Sequence, residues 1–165
     1  MNKISNYSTA ILVLSCDKYA AIWPTFFDFF FKYWSDCPFP IYLGTNSERY
    51  VRAGVIQVFS NKKTTWSEEL AVILNQIKEE NILIILEDYF IYEKVNNKEI
   101  YKCIDVLNSY NAAYIKLGCF PKQYDSLWPC KPLMDEVGFG EIEKGSTIGF
   151  VCKLLYGEKI FCCRY

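Results

Sequence analysis

A chain of 165 residues is long enough for one domain with a real core, and 52% hydrophobic against 22% charged residues excludes a disordered polymer. A net charge of −1 with no basic run argues against nucleic acid as the main partner. These residues include no histidine, which removes His-based triads, His general acids and His metal sites and leaves carboxylates, Tyr, Lys, Cys or a bound metal to carry any chemistry.

Met1–Asn6 leads straight toward a strand without the apolar core of a signal peptide. Thr9-Ala10-Ile11-Leu12-Val13-Leu14 reads as a buried strand, and Ser15 or Asp17 can cap the helix after it. Tyr19 to Trp34 reads as that helix, in which Thr25, Asp28, Lys32 and Ser35 form one narrow polar stripe. Such a helix is buried around most of its circumference, or it rests on a membrane or a partner. Phe39 to Gly44 is a second strand, Thr45-Asn46-Ser47 a turn at its end, and Val55 to Phe59 a third, alternating strand.

Thr65-Trp66-Ser67-Glu68 has the form of a capping box, and the helix after it should carry Trp66, Leu70, Ile73, Leu74 and Ile77 on one face. Ile82-Leu83-Ile84-Ile85-Leu86 predicts a strand buried on both faces, and two carboxylates, Glu87 and Asp88, come directly after it. Asn96 to Tyr110 is a further helix and Ala112 to Leu117 a fifth strand. Phe120 to Gly145, with its prolines and turn residues, reads as a long loop region. Thr147–Leu155 and Lys159–Cys163 predict a closing hairpin.

This order defines an α/β fold: a mostly parallel sheet with helices on both faces and a C-terminal β-hairpin. A single domain covers 1–165, with an α/β core over 1–118 and a loop-rich part over 119–165. Six of the eight cysteines are scattered, Cys162 and Cys163 are adjacent and so rarely bridge each other, and no CxxC pair exists, so zinc and a disulfide framework are not expected. Mostly buried thiols in a reducing cytoplasm fit better. No apolar run reaches the ~18–20 residues of a membrane helix.

In a parallel sheet, groups just past the carboxyl ends of the strands share one edge. Here those groups are Ser15-Cys16-Asp17, Thr45-Asn46 and Glu87-Asp88, joined by the start of the helix at Trp66, whose N–H groups could face a phosphate. Asp17 either accepts from a ribose hydroxyl or a base, or is a plain helix cap. Tyr19 offers a stacking ring. Asn46 either bonds a ribose or holds its own turn, and Trp66 either stacks on a ligand or fills the core. Glu87 and Asp88 could hold Mg²⁺ or Mn²⁺, because hard cations take oxygen ligands.

The segments Leu14–Tyr19, Phe30–Pro38, Ile41–Asn46, Thr65–Glu68 and Ile85–Phe90 resemble, in order and spacing, bacterial glycosyltransferases of lipopolysaccharide or capsule assembly with a GT-A nucleotide-sugar-binding fold. The resemblance covers about Ile11 to Phe90. It implies a nucleotide-sugar donor held by Ser15, Asp17, Tyr19, Asn46, Trp66 and Asp88. It places Glu87-Asp88 where that family has its acidic, metal-binding DxD-type motif. It further implies a glycan or lipid-linked acceptor, and a cytoplasmic location at the inner face of the membrane. A base would then come from the carboxylates after Phe90: Asp125, Asp135, Glu136, Glu141 or Glu143. The alternative is a non-catalytic or degenerate nucleotide-sugar-binding domain on the same fold.

Overall fold

The computed structural model describes residues 8–61, 64–109, 114–116, 130–132, 139–142 and 160–163. The chain divides into two compact units, Met1–Asn97 and Lys98–Tyr165.

In the first unit β1 (Thr9–Leu14), β2 (Ile41–Thr45), β3 (Val55–Phe59) and β4 (Asn81–Leu86) make a four-stranded sheet in the order β3-β2-β1-β4. All three pairings are parallel, so the α/β class read from the alternation of elements is what the chain adopts. β1 lies inside, and all six of its residues are buried. β4 is an edge strand of this sheet, and Ile82 to Leu86 are half-buried rather than buried on both faces as expected. The aliphatic run foretells a strand but not its place in the order.

Two helices cross over the sheet: α1 (Trp23–Tyr33) between β1 and β2, and α2 (Trp66–Leu74) between β3 and β4. Because β2 lies to one side of β1 and β4 to the other, right-handed crossovers place the helices on opposite faces. The packing agrees. A Cβ on Gly44 of β2 would stand 3.0 Å from Cγ2 and 3.1 Å from Cδ1 of Ile73, so α2 rests directly on that face. Gln57 pairs with Leu43, one residue before Gly44, and so points to the other face. Its side chain accepts from the Tyr50 N–H at 2.8 Å. The Tyr50 ring in turn meets Trp23 edge-on at 5.9 Å and stacks on Phe27 at 5.6 Å, which brings α1 to the Gln57 face.

Pro24 sets where α1 begins. A proline has no N–H to give a preceding turn and fits only the first positions of a helix. The stretch expected to be helical from Tyr19 is therefore split into a 3-10 helix, Asp17–Ile22, and α1, in which Pro24 is the second residue. The polar stripe is confirmed: Thr25, Asp28, Lys32 and Ser35 are all exposed. Trp23, Phe26, Phe27, Phe30 and Trp34 are buried, each removing ~150–250 Å² from water. At the end of α1 the Trp34 Nε1–H donates to Oδ1 of Asn97 at 2.6 Å, and Asn97 Nδ2 donates to the Asp36 carbonyl and carboxylate.

The outer edge of β3 is closed by a side chain. Gln76 Nε2 donates to the Phe59 carbonyl at 2.7 Å, and the Phe59 N–H donates to Gln76 Oε1 at 3.4 Å. The amide thus stands in for one residue of a neighbouring strand.

α3 runs from Asn97 to Ser109 and leads into the second unit. There β5 (Tyr114–Lys116), β6 (Cys130–Pro132), β7 (Phe139–Ile142) and β8 (Ile160–Cys163) form a sheet in the order β5-β8-β7-β6. β5 and β8 are parallel, and the β8–β7 and β7–β6 pairs are antiparallel. β6 and β7 fall inside the segment expected to be loop. Pro132 closes β6, which is an edge strand, the place in a sheet where proline is tolerated. β8 lies where the second arm of the expected hairpin falls, but its partners are β5 and β7 rather than the other arm. The first arm, residues 147–155, lies outside the described residues.

Among the described residues no helix is long and apolar enough to cross a membrane. Cys16, Cys37 and Cys103 are thiols rather than half-cystines; Cys103 is buried, and the other two are half-buried.

Candidate functional site at the carboxyl edge of the parallel sheet

Because β1 pairs with both β2 and β4 in parallel, Leu14 lies beside Gly44 on one side and Leu86 on the other. The segments starting at Ser15, Thr45 and Glu87 therefore leave the sheet at one level along one edge. β3 ends at that edge too, and α2 starts beyond it.

Asp17 and Asn46 turn their side chains inward, onto the loops themselves. The Asp17 carboxylate accepts from the backbone N–H groups of Asn46 (3.1 Å), Ser47 (3.0 Å) and Glu48 (2.9 Å), and from the Ser47 hydroxyl at 2.7 Å. Burial alone would raise its pKa, but these hydrogen bonds together outweigh burial and hold the carboxyl below its ordinary value. Asn46 is buried. Its Oδ1 accepts from the Asp17 N–H at 3.2 Å, and its Nδ2 donates to Ser60 Oγ at 3.3 Å and Glu69 Oε2 at 2.9 Å. One amide thus ties together the ends of β1, β2 and β3 and the first turn of α2. Asp17 and Asn46 shape the edge, and their acceptors and donors are already engaged.

The start of α2 carries the expected capping box, with Thr65 and Glu68 exchanging hydrogen bonds. Glu68 and Glu69 both lie in its first turn, and the Glu69 carboxylate accepts from the Thr64 N–H at 3.1 Å. Two carboxylates already compensate the positive end of this helix, so the phosphate expected there would meet like charge. Trp66, expected on the inward face with Leu70 and Ile73, is 46% exposed, while Leu70, Ile73 and Ile77 are buried. It precedes the turn that lies on the sheet, and its ring remains available at the edge.

Glu87 and Asp88 go separate ways. Glu87 is 7% exposed, and Asp88 is exposed. The Ser15 hydroxyl donates to the Cys16 carbonyl at 3.5 Å and accepts from the Trp23 indole N–H at 2.8 Å. Burial, reinforced by the charge of Asp88, pushes the Glu87 carboxyl above its ordinary value, against the hydrogen bond from its own N–H. The turn after β4 is closed by the Tyr89 N–H on the Leu86 carbonyl at 3.1 Å, and the Tyr89 side chain is 66% exposed. Tyr19, on the neighbouring loop, is 42% exposed, with the Lys18 ammonium 5.7 Å from its ring centroid.

The residues brought to this edge thus fall into two sets. Ser15, Asp17 and Asn46 are bonded within the protein and Glu87 is buried, whereas Tyr19, Trp66 and Asp88 are exposed. Sequence reasoning missed Ser60, Glu69 and Trp23 as partners in these networks. A second carboxylate in the first turn of α2 and a serine directly after β3 were the only signals for the first two. Among the described residues no group of three or more Cys, Asp or Glu is gathered as a ready-made metal cage. Asp125, Asp135, Glu136 and Glu143 lie outside the described residues. The chain matches no protein-family model, no curated protein and no solved structure.

Proposed function

We propose that this edge binds a nucleotide-sugar and that the chain is a glycosyltransferase of GT-A type, transferring a sugar to a cell-surface glycan precursor. The observation that carries the reading is the Leu14–Leu86 pairing. It sets the Ser15–Tyr19 loop beside the Glu87–Tyr89 turn and leaves Asp88 as an exposed carboxylate there. Open α/β sheets bind ligands at this position. The sequence resemblance over Ile11 to Phe90 supplies the substrate class.

On this reading Asp88 approaches the donor, directly or through Mg²⁺ or Mn²⁺. A hard cation with one protein carboxylate keeps several waters and takes its remaining oxygens from the diphosphate. Bound there, it would stabilise the charge that develops on the departing diphosphate. Tyr19 and Trp66 offer rings for stacking, and Asp17 and Asn46 hold the loops that carry them. The buried position of Glu87, which leaves a single exposed carboxylate at β4, also supports the second reading, a nucleotide-sugar-binding domain without turnover.

Thermal-shift screening against UDP-, GDP-, CMP- and dTDP-sugars, with and without Mn²⁺, tests donor binding. The expected result is stabilisation by one nucleotide class that needs Mn²⁺ and is lost in Asp88→Asn. No shift with any of them would refute the reading. Sugar release from a labelled donor separates the transferase from the binding domain.

A further inference from the structure

We infer that the outer edge of β4 is an interface at which two copies of this chain pair, antiparallel and two-fold symmetric, into one continuous sheet. This does not rest on the proposed ligand site. The direction of each backbone group follows from three hydrogen bonds. The Asn81 N–H donates to the Ser8 carbonyl at 3.0 Å, which turns Asn81 toward β1. The Ile11 and Ser15 N–H groups donate to the Pro40 and Gly44 carbonyls, both at 2.9 Å, which turns those residues toward β2 and leaves Ala10, Leu12 and Leu14 for β4. Along a strand successive residues present their N–H and C=O to alternate sides. Leu83 and Ile85 therefore bond to β1, as Asn81 does, and Ile82 and Ile84 present theirs outward. Among the described residues no backbone group meets them there. The ends of the edge are closed: the Glu80 N–H donates to Ser8 Oγ at 3.1 Å, and the Leu86 carbonyl accepts from the Tyr89 N–H at 3.1 Å. Only the centre is open.

The opposite edge of the sheet is covered. The Ser60 N–H on the Thr45 carbonyl at 2.9 Å turns Val55, Gln57 and Phe59 outward. Of these, the Val55 N–H is taken by the Arg52 carbonyl at 3.2 Å, and both Phe59 groups are taken by Gln76. β4 has no such cover, and Asn81–Leu86 holds no charge or proline, the usual devices that keep an edge single. It carries instead the aliphatic run of an inner strand, and Ile82 to Leu86 are all left half-buried, as a strand one neighbour short would be. A second copy fits this edge for two reasons. The run is uncharged, so pairing with itself sets no like charges opposite each other within the strand. The open groups are also self-complementary. With the two-fold axis at Leu83, Ile82 of each copy lies opposite Ile84 of the other, and such a pair exchanges both of its N–H to C=O bonds. Glu80 and Asp88, the exposed acids flanking the strand, confine the pairing to β4 and keep it reversible.

Sedimentation equilibrium and amide hydrogen exchange of the full chain, from micromolar to millimolar concentration, test this together. The mass should climb from one chain toward two. Where the dimer dominates, the Ile82 and Ile84 amides should exchange about tenfold more slowly than in the dilute chain, while those of Leu83 and Ile85 are protected throughout. Ile84→Pro removes an outward N–H and leaves the bonds to β1 in place. It should hold the chain at the mass of one copy at every concentration, with the circular dichroism of the wild type. Should that variant not fold, the wild-type exchange decides alone. Three results would overturn the inference. A mass of one chain throughout means that no copies pair. A doubled mass with Ile82 and Ile84 exchange that ignores concentration means that they meet elsewhere. Protection of both amides at every concentration in a one-chain species means that the chain covers this edge itself.

Discussion

Asp17 shows how a residue suited to hold a ligand can be consumed by the fold. A carboxylate that collects three backbone N–H groups and a hydroxyl stabilises a loop, and here that loop is Asn46 to Glu48. Asp17→Asn should cost about 1–3 kcal/mol at neutral pH, the range for hydrogen bonds to a charged group. The sign with pH comes from the depressed folded-state pKa. The stabilisation is fully present above the unfolded carboxylate value and is lost as pH falls through the lower folded value. Urea unfolding should therefore separate wild type from Asp17→Asn near neutrality, and the gap should close as the pH falls below the ordinary carboxylate range. The sequence holds both roles for Asp17 open, because a helix cap and a ligand contact call for the same residue type at the same strand end. Only the backbone of a loop about thirty residues away decides between them. The pair Glu87-Asp88 is legible as a feature of the strand end. Which of the two faces inward is not, since that depends on how the strand end packs: Glu87 is buried and Asp88 exposed.

Among the elements, β1, the capping box before α2 and the polar stripe of α1 are readable because each is a local rule: an aliphatic run, a four-residue cap, an interval of three and four. Trp66 is misplaced because helical periodicity counts from the first helical residue, whereas contact with the sheet starts at Leu70, one turn later. β6 and β7 are hidden because proline and glycine signal a turn whether or not a short edge strand accompanies it. Two predictions belong at this scale. Gly44→Ala should destabilise the chain by about 1–3 kcal/mol, because its Cβ would press on Ile73 and on Leu12 Cδ1 at 3.2 Å. Chemical denaturation checks this, and an unchanged midpoint would mean α2 does not rest on β2 there. Gln76→Ala should leave stability within about 1 kcal/mol yet uncover the edge of β3 at Phe59. Size-exclusion chromatography at rising concentration should then show higher-order species that wild type lacks.

At the scale of the whole molecule, the first unit places its chemistry by topology. Four parallel strands in the order β3-β2-β1-β4 deliver three loops and a helix start to one edge, although these are distant along the chain. The order of elements made that convergence foreseeable. The polar network of Asp17, Asn46, Ser60 and Glu69 ties together the β3 side of that edge. The β1–β4 side, with Tyr19, Asp88 and Tyr89, keeps its exposed groups. The most direct measurement is backbone amide NMR of the full chain titrated with Mg²⁺ and the nucleotide-sugar found by thermal shift. Perturbations confined to residues 16–19, 64–67 and 87–90 are what this geometry predicts. Perturbations gathered instead at the opposite edge, around Pro40 and Glu79 to Asn81, would contradict it.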